Sequence, residues 1–234
     1  MLKQHLSFNL TFLVIFIANI FAESGLASNL NIFVKPLISI SLAMYLVRNV
    51  SMRVGFNRLI LLGLVLSLFG DFFLIFAGGN IYNFVYGLLA FLLAHILYSM
   101  AFFRDFKNNP QASKLFGHIM LFFMGVFSLS YYSWIRDYLN DLRIPIMVYM
   151  MVISIMVILA GYRYGRVNKF SFKLIYIGAI FFVMSDSILA YNKFAEPISF
   201  SGVWIMGTYM LAQYLITMGT IERIVLINQI RTQG

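Results

Sequence analysis

Eight mainly apolar stretches, each close to twenty residues long and separated by short polar connections, take up almost the whole chain. They run over residues 6–22, 30–47, 58–77, 80–103, 114–132, 144–162, 172–191 and 200–222. A helix needs about 20 such residues to cross the hydrocarbon of a bilayer. Backbone polar groups in lipid are satisfied only within helices or closed barrels. The spacing therefore predicts an all-α integral membrane protein, an eight-helix transmembrane bundle forming a single domain over 1–234. Composition agrees: 62% of residues are hydrophobic and 11% charged, against roughly half and a quarter in soluble domains. The first stretch follows Lys3 and ends near Phe21-Ala22-Glu23-Ser24-Gly25, small residues that also suit a signal-peptide boundary. It is read as a retained helix, because its removal would leave seven and spoil the pairing described below.

The formal net charge of +9 raises the question of nucleic acid, and the placement of the charges answers it. Lys3, Arg48, Arg53, Arg58, Arg104, Lys107, Lys114, Arg163, Arg166, Lys169, Lys173, Arg223 and Arg231 all fall on one side of an eight-helix arrangement. The other side holds Arg136, Arg143 and Lys193, and Lys35 lies inside the second stretch. By the positive-inside rule this predicts cytoplasmic N- and C-termini, in the inner membrane if the host is bacterial. The basic charge is a topology signal, and no nucleic-acid partner is expected.

Stretches three and four share a pattern with seven and eight. Gly70-Asp71-Phe72-Phe73-Leu74 and Ser185-Asp186-Ser187-Ile188-Leu189 both read small–Asp–x–x–Leu before a short loop. LLAHILYSM (92–100) then corresponds to MLAQYLITM (210–218), and Lys35-Pro36 to Ile144-Pro145. A tandem duplication with halves 1–109 and 110–234 is expected. Four helices restore the starting orientation, so the repeat would be parallel, related by an axis along the membrane normal. Asp71 and Asp186 would then be equivalent and face each other across that axis.

Ionisable groups within a span are costly, and each is a functional-site hypothesis. At 1.5 Å per residue, Asp71 and Asp186 lie about 8–9 Å below the non-cytoplasmic boundary. Lys35 and Tyr149 fall at a similar depth. Gly63, Ser67, Gly70 and Asp71 share one helical stripe, Gly178, Ser185, Asp186 and Asn192 or Lys193 another, and Tyr209, Gln213, Thr217 and Thr220 a third. Together they are expected to line a cavity holding both aspartates. The bland alternatives are a Lys35–Asp ion pair that fixes packing, a His95 that serves packing, and a Gln213 that bonds between helices.

Two nearby carboxylates in a dry site divide the work, one carrying a proton and the other a charge, which supplies general acid and base without a metal. With no cysteine, no HExxH and three scattered histidines, no metal or cofactor is expected. Serine-hydrolase and nucleotide motifs are missing. Phe69-Gly70-Asp71 lacks the first glycine of the GxGD motif of intramembrane aspartyl proteases, and no Tyr-Asp pair or Pro-Ala-Leu segment is present. A lipid or small-solute transporter that uses the aspartates for proton coupling is the alternative class.

The strings FGDFFLIF (69–76), FLLAHILY (91–98), GAIFFVMSDSILAYNKF (178–194) and YMLAQYLI (209–216) resemble the YhhN family of eight-helix membrane proteins. Lys35-Pro36-Leu37 and Tyr149 also fit its pattern, and the resemblance covers essentially the whole chain. That family includes the animal lysoplasmalogenases. The resemblance implies hydrolysis of the vinyl ether of a lysoplasmalogen to a fatty aldehyde and glycerophosphoethanolamine or glycerophosphocholine. Asp71 and Asp186 are then the expected catalytic pair. Lys35, Tyr149, His95, Ser185, Asn192, Lys193, Tyr209 and Gln213 are the expected substrate-binding residues, with Lys35 or Lys193 facing the phosphate.

Overall fold

The computed structural model describes residues 4–25 and 30–226; Lys3 and Arg231, used in the charge count, lie outside the described residues. Eight helices follow in order: α1 (Leu6–Glu23), α2 (Asn31–Asn49), α3 (Gly55–Ile75), α4 (Ile81–Asn108), α5 (Leu115–Ile135), α6 (Arg143–Tyr162), α7 (Lys169–Ala190) and α8 (Ser201–Ile221). Two 3-10 turns, Arg136–Tyr138 and Asn140–Leu142, join α5 to α6, and a π-helical turn, Tyr191–Ala195, extends α7. Among the described residues, seven helices are long and apolar enough to cross a membrane. The eighth, α8, has 21 residues but gives apolarity up to Gln213, Thr217 and Thr220, all buried against its neighbours. That buried polar stripe is why composition alone ranks α8 below the others.

The longest pairings are α3 with α4 and α7 with α8. Both depend on glycine. A Cβ on Gly63 would stand 2.2 Å from the Tyr98 ring, and one on Gly178 would stand 3.0 Å from the Ala212 carbonyl oxygen. Small residues let helices approach where lipid offers no hydrophobic drive for association. Helix α8 also packs on α1, α2 and α3, which makes it the central element. Its Met210 and Ile216 join Ile60 and Leu64 of α3 and Phe182 of α7 in the core, all fully buried. Helix α5 buries only Gly117, Met124 and Ile135, and its Leu129 is 72% exposed, as suits a helix at the lipid boundary.

The largest departure from the sequence expectation lies on the side that carries the termini. Helix α4 continues past residue 103, where the apolar run ends, to Asn108. It continues because Asp105, fully buried, receives Arg163 Nε at 2.8 Å on Oδ2 and Arg223 Nε at 2.9 Å on Oδ1. Arg163 also donates to Ser171 Oγ at 3.0 Å, and Ser171 in turn donates to the Gly219 carbonyl at 2.6 Å. Burial draws the Arg163 guanidinium below its ordinary value, against the pull of the Asp105 carboxylate. Arg166, equally buried, donates to the carbonyls of Tyr162, Asn109 and Ala112 at 2.5, 3.0 and 2.9 Å. Arg163 and Arg166, counted above as loop charges, are therefore interior fasteners that tie α4, α6, α7 and the segment after α8 together. The segment after α8 adds an isolated antiparallel bridge between Val167 and Val225.

Candidate active site

The side opposite the termini carries the ends of α1, α3 and α7 and the starts of α2, α4, α6 and α8. There the two aspartates lie in separate hydrogen-bonded sets. Asp71, on α3 and 3% exposed, accepts at Oδ2 from Tyr209 Oη at 2.8 Å and from Ser39 Oγ at 3.3 Å. Tyr209 receives Gln213 Nε2 at 3.3 Å, and Tyr98 Oη donates to Gln213 Oε1 at 2.8 Å. This chain of hydroxyls and amide runs along the polar stripe of α8 and is sealed from both cavities described below.

Asp186, on α7, accepts from Tyr149 Oη on α6 at 2.6 Å. His95 Nε2, on α4, stands 3.9 Å from the same oxygen. The His95 ring is fully buried, and among the described residues neither of its nitrogens has a hydrogen-bond partner. It meets Tyr149 and Phe182 edge-on, with centroids 5.6 and 5.0 Å away. Phe182 reaches Tyr209 on its other side, at 5.7 Å. One aromatic ring therefore separates the surroundings of the two carboxylates.

Among the described residues, two neighbouring cavities border this region. The first is the smaller and more enclosed; Asp186, Tyr149, Leu88, Phe127, Ile146 and Phe194 are among its lining residues, and the surface it exposes is mainly apolar. The second, larger and more open, has Glu23, Lys35, Asn192, Lys193, Phe200 and Gly202 among its lining residues. Phe84 and Leu189 line both, so the polar vestibule adjoins the apolar cavity. Lys193 Nζ lies 5.0 Å above the Phe84 ring at that junction. Asn192 Oδ1 accepts the Ile198 N–H at 2.9 Å and steadies the loop that follows the π-helical turn.

The predicted site residues thus fall into three groups. Asp186 and Tyr149 meet on the cavity wall. Lys35, Asn192 and Lys193 line the vestibule. Asp71, His95, Tyr209 and Gln213 are interior and line neither, while Ser185 donates to the Ile205 carbonyl at 3.0 Å and ties α7 to α8. One cavity holding both aspartates was expected, and Asp71 is instead covered by Ser39, Tyr209 and the neighbouring Phe91 ring. The Lys35–Asp ion pair does not form: Lys35 Nζ meets Glu23 Oε1 at 2.7 Å. Helix spacing placed Lys35 near Asp71, whereas Glu23 comes from α1, across a connection whose path the sequence leaves open. Among the described residues, no three His, Cys, Asp or Glu side chains gather as a metal-binding set.

Comparison with known proteins bears on the same residues. The YhhN family model matches residues 30–220, most of the chain and every helix from α2 to α8. The chain belongs to the YhhN family. Human lysoplasmalogenase TMEM86A is 32% identical over 166 residues, which cover 70% of this chain and 65% of that protein. Lysoplasmalogenase TMEM86B from Homo sapiens is 30% identical over 169 residues, 72% of this chain and 66% of the relative. TMEM86B from Sus scrofa is 30% identical over 186 residues, with 79% and 73% covered. The chain thus spans about two thirds of the length of the curated relatives it matches. No solved structure matches it.

Sequence reasoning missed Ser39, Leu88 and Phe127 at this candidate site, and the role of Glu23. Ser39 is an ordinary serine in an apolar stretch, and only the approach of α3 turns it toward Asp71. Glu23 reads as a helix-end charge. Leu88 and Phe127 look like any lipid-facing residue until α4 and α5 are seen to enclose a cavity. The position of His95 one helical layer from Asp186 likewise depends on how α4 crosses α7.

Proposed function

We propose that this protein is a membrane-embedded hydrolase that cleaves the vinyl ether of lysoplasmalogens, releasing a fatty aldehyde and a glycerophospho head group. The observation that carries it is the apolar cavity with Asp186 and Tyr149 on its wall, opening beside a vestibule with two lysines. A single-chain lipid matches that sequence of surfaces: tail among the apolar rings, ether beside Asp186, phosphate beside Lys193 or Lys35. The lysoplasmalogenase relatives support the same substrate class.

A vinyl ether resists bases and yields to acid. A carboxyl proton is transferred to the vinyl carbon remote from oxygen, whose π pair forms the new C–H bond. The ether oxygen shares a lone pair with the resulting cation. Water adds to the carbon next to oxygen and loses a proton to a carboxylate. The hemiacetal then breaks its bond to the glycerol oxygen, which takes the hydroxyl proton as the aldehyde leaves. Glycosidases handle a similar cation with two carboxyl groups. In this proposal Asp186 meets the substrate, oriented by Tyr149. Asp71 is the second carboxylate and acts on the developing charge from behind the Phe182 ring.

The repeat halves 1–109 and 110–234 belong to the same proposal. Their support is a reciprocity of partners. Asp71 accepts from Ser39 on the second helix of its own half and from Tyr209 on the fourth helix of the other. Asp186 accepts from Tyr149 on the second helix of its own half and faces His95 on the fourth helix of the other. With both termini cytoplasmic, the vestibule opens on the outer face. The test is aldehyde release from a lysoplasmalogen by purified protein in detergent with a chelator present. Release that disappears with Asp186→Asn supports the proposal, and no release by folded, unsubstituted protein refutes it.

A further inference from the structure

We infer that the Glu23–Lys35 ion pair reads the amine of a zwitterionic phosphate head group and selects a primary ammonium over a quaternary one, an inference that builds on the lysophospholipid reading above. Distance along the lipid orders the contacts. Lys193 sits over Phe84, at the junction of cavity and vestibule, where a phosphate one glycerol unit beyond the ether would lie. Glu23 and Lys35 line the vestibule and not the cavity, so they meet what extends past the phosphate.

The Glu23 carboxylate is only partly satisfied. Its side chain is 11% exposed, and among the described residues Lys35 is its sole polar partner. Its second oxygen rests against Gly202 at the start of α8, where a Cβ would come within 2.1 Å. The glycine therefore makes the room in which this carboxylate lies. A carboxylate accepts several hydrogen bonds, and those to an ionised donor are the strong ones. A primary ammonium supplies three N–H donors in exchange for the share of Glu23 held by Lys35, and frees Lys35 to join Lys193 on the phosphate. A quaternary ammonium supplies none. Such groups are held by aromatic faces, and among the described residues the vestibule has only Phe84, already under Lys193, and Phe200.

The test is binding of three acyl lysophospholipids, which contain no vinyl ether, to the full chain in nanodiscs. Lysophosphatidylethanolamine should bind more tightly than lysophosphatidylcholine. Glu23→Gln should weaken the ethanolamine lipid about tenfold, the scale of a lost charged hydrogen bond. The same change should strengthen lysophosphatidate, because Lys35 no longer divides its charge between Glu23 and the phosphate. Opposite signs for two lipids cannot come from a loosened fold. Gly202→Ala, which displaces the carboxylate without removing it, should shift the two lipids in the same directions by less, and it stands in if Glu23→Gln does not fold. Equal affinity for the ethanolamine and choline lipids, or an equal loss for all three on substitution, overturns the inference. Aldehyde release is scored separately: the binding pattern without turnover would leave the head-group site standing and remove the hydrolase, and turnover with a flat binding pattern would do the reverse.

Discussion

Asp105 and Asp186 are carboxylates of one helical bundle, the first fully buried and the second partly buried on a cavity wall, and they keep different company. On the terminus side Asp105 receives two guanidinium groups, and one of those is held further by Ser171. On the opposite side Asp186 has a phenol at 2.6 Å and a histidine whose two nitrogens find no hydrogen-bond partner among the described residues. Among the described residues, Asp71 has hydroxyls alone as hydrogen-bond partners. A buried charge matched by charge is a fastener, because removing one partner strands the other. A buried acid held by neutral hydroxyls can take up or release a proton without collapsing a salt bridge, which is what acid–base chemistry requires. Under the proposed function, the same residue type serves structure at one face and chemistry at the other.

The comparison can be broken by substitutions on both sides. Asp186→Asn should lower aldehyde release by about 100- to 10,000-fold, the range of a lost general acid or base, with unchanged thermal unfolding in detergent. A variant that unfolds early instead would place Asp186 with the fasteners. Asp105→Ala should do the opposite: it strands Arg163 and should cost about 3–5 kcal/mol of stability, read from thermal unfolding, while turnover per folded molecule holds. Tyr149→Phe keeps the ring and removes the donor to Asp186. Its expected loss in kcat/KM is about tenfold, and no loss would detach the phenol from the chemistry. The smallest effect belongs to Ser171→Ala, about 1 kcal/mol by thermal unfolding, with no change in turnover.

Apolar runs and charge placement determined by themselves that the chain is a bundle of eight helices, since lipid leaves a backbone no other arrangement of this length. Helical periodicity also picked out Asp71 and Asp186, because a charge within an apolar run is conspicuous however the helices pack. The polar stripe of α8 was equally legible, and it turned out to be the spine of the Asp71 network. What periodicity does not contain is the crossing of one helix over another. Only the tertiary structure decided that Lys35 joins Glu23 and not an aspartate, and that Asp71 is sealed while Asp186 meets the cavity. It also decided that Arg163 and Arg166, two of the charges that read as topology signals, are buried. The physical reason is the same in each case. Which face a helix shows to lipid follows from its own residues, whereas the partner a buried charge finds depends on residues from helices far away in the chain.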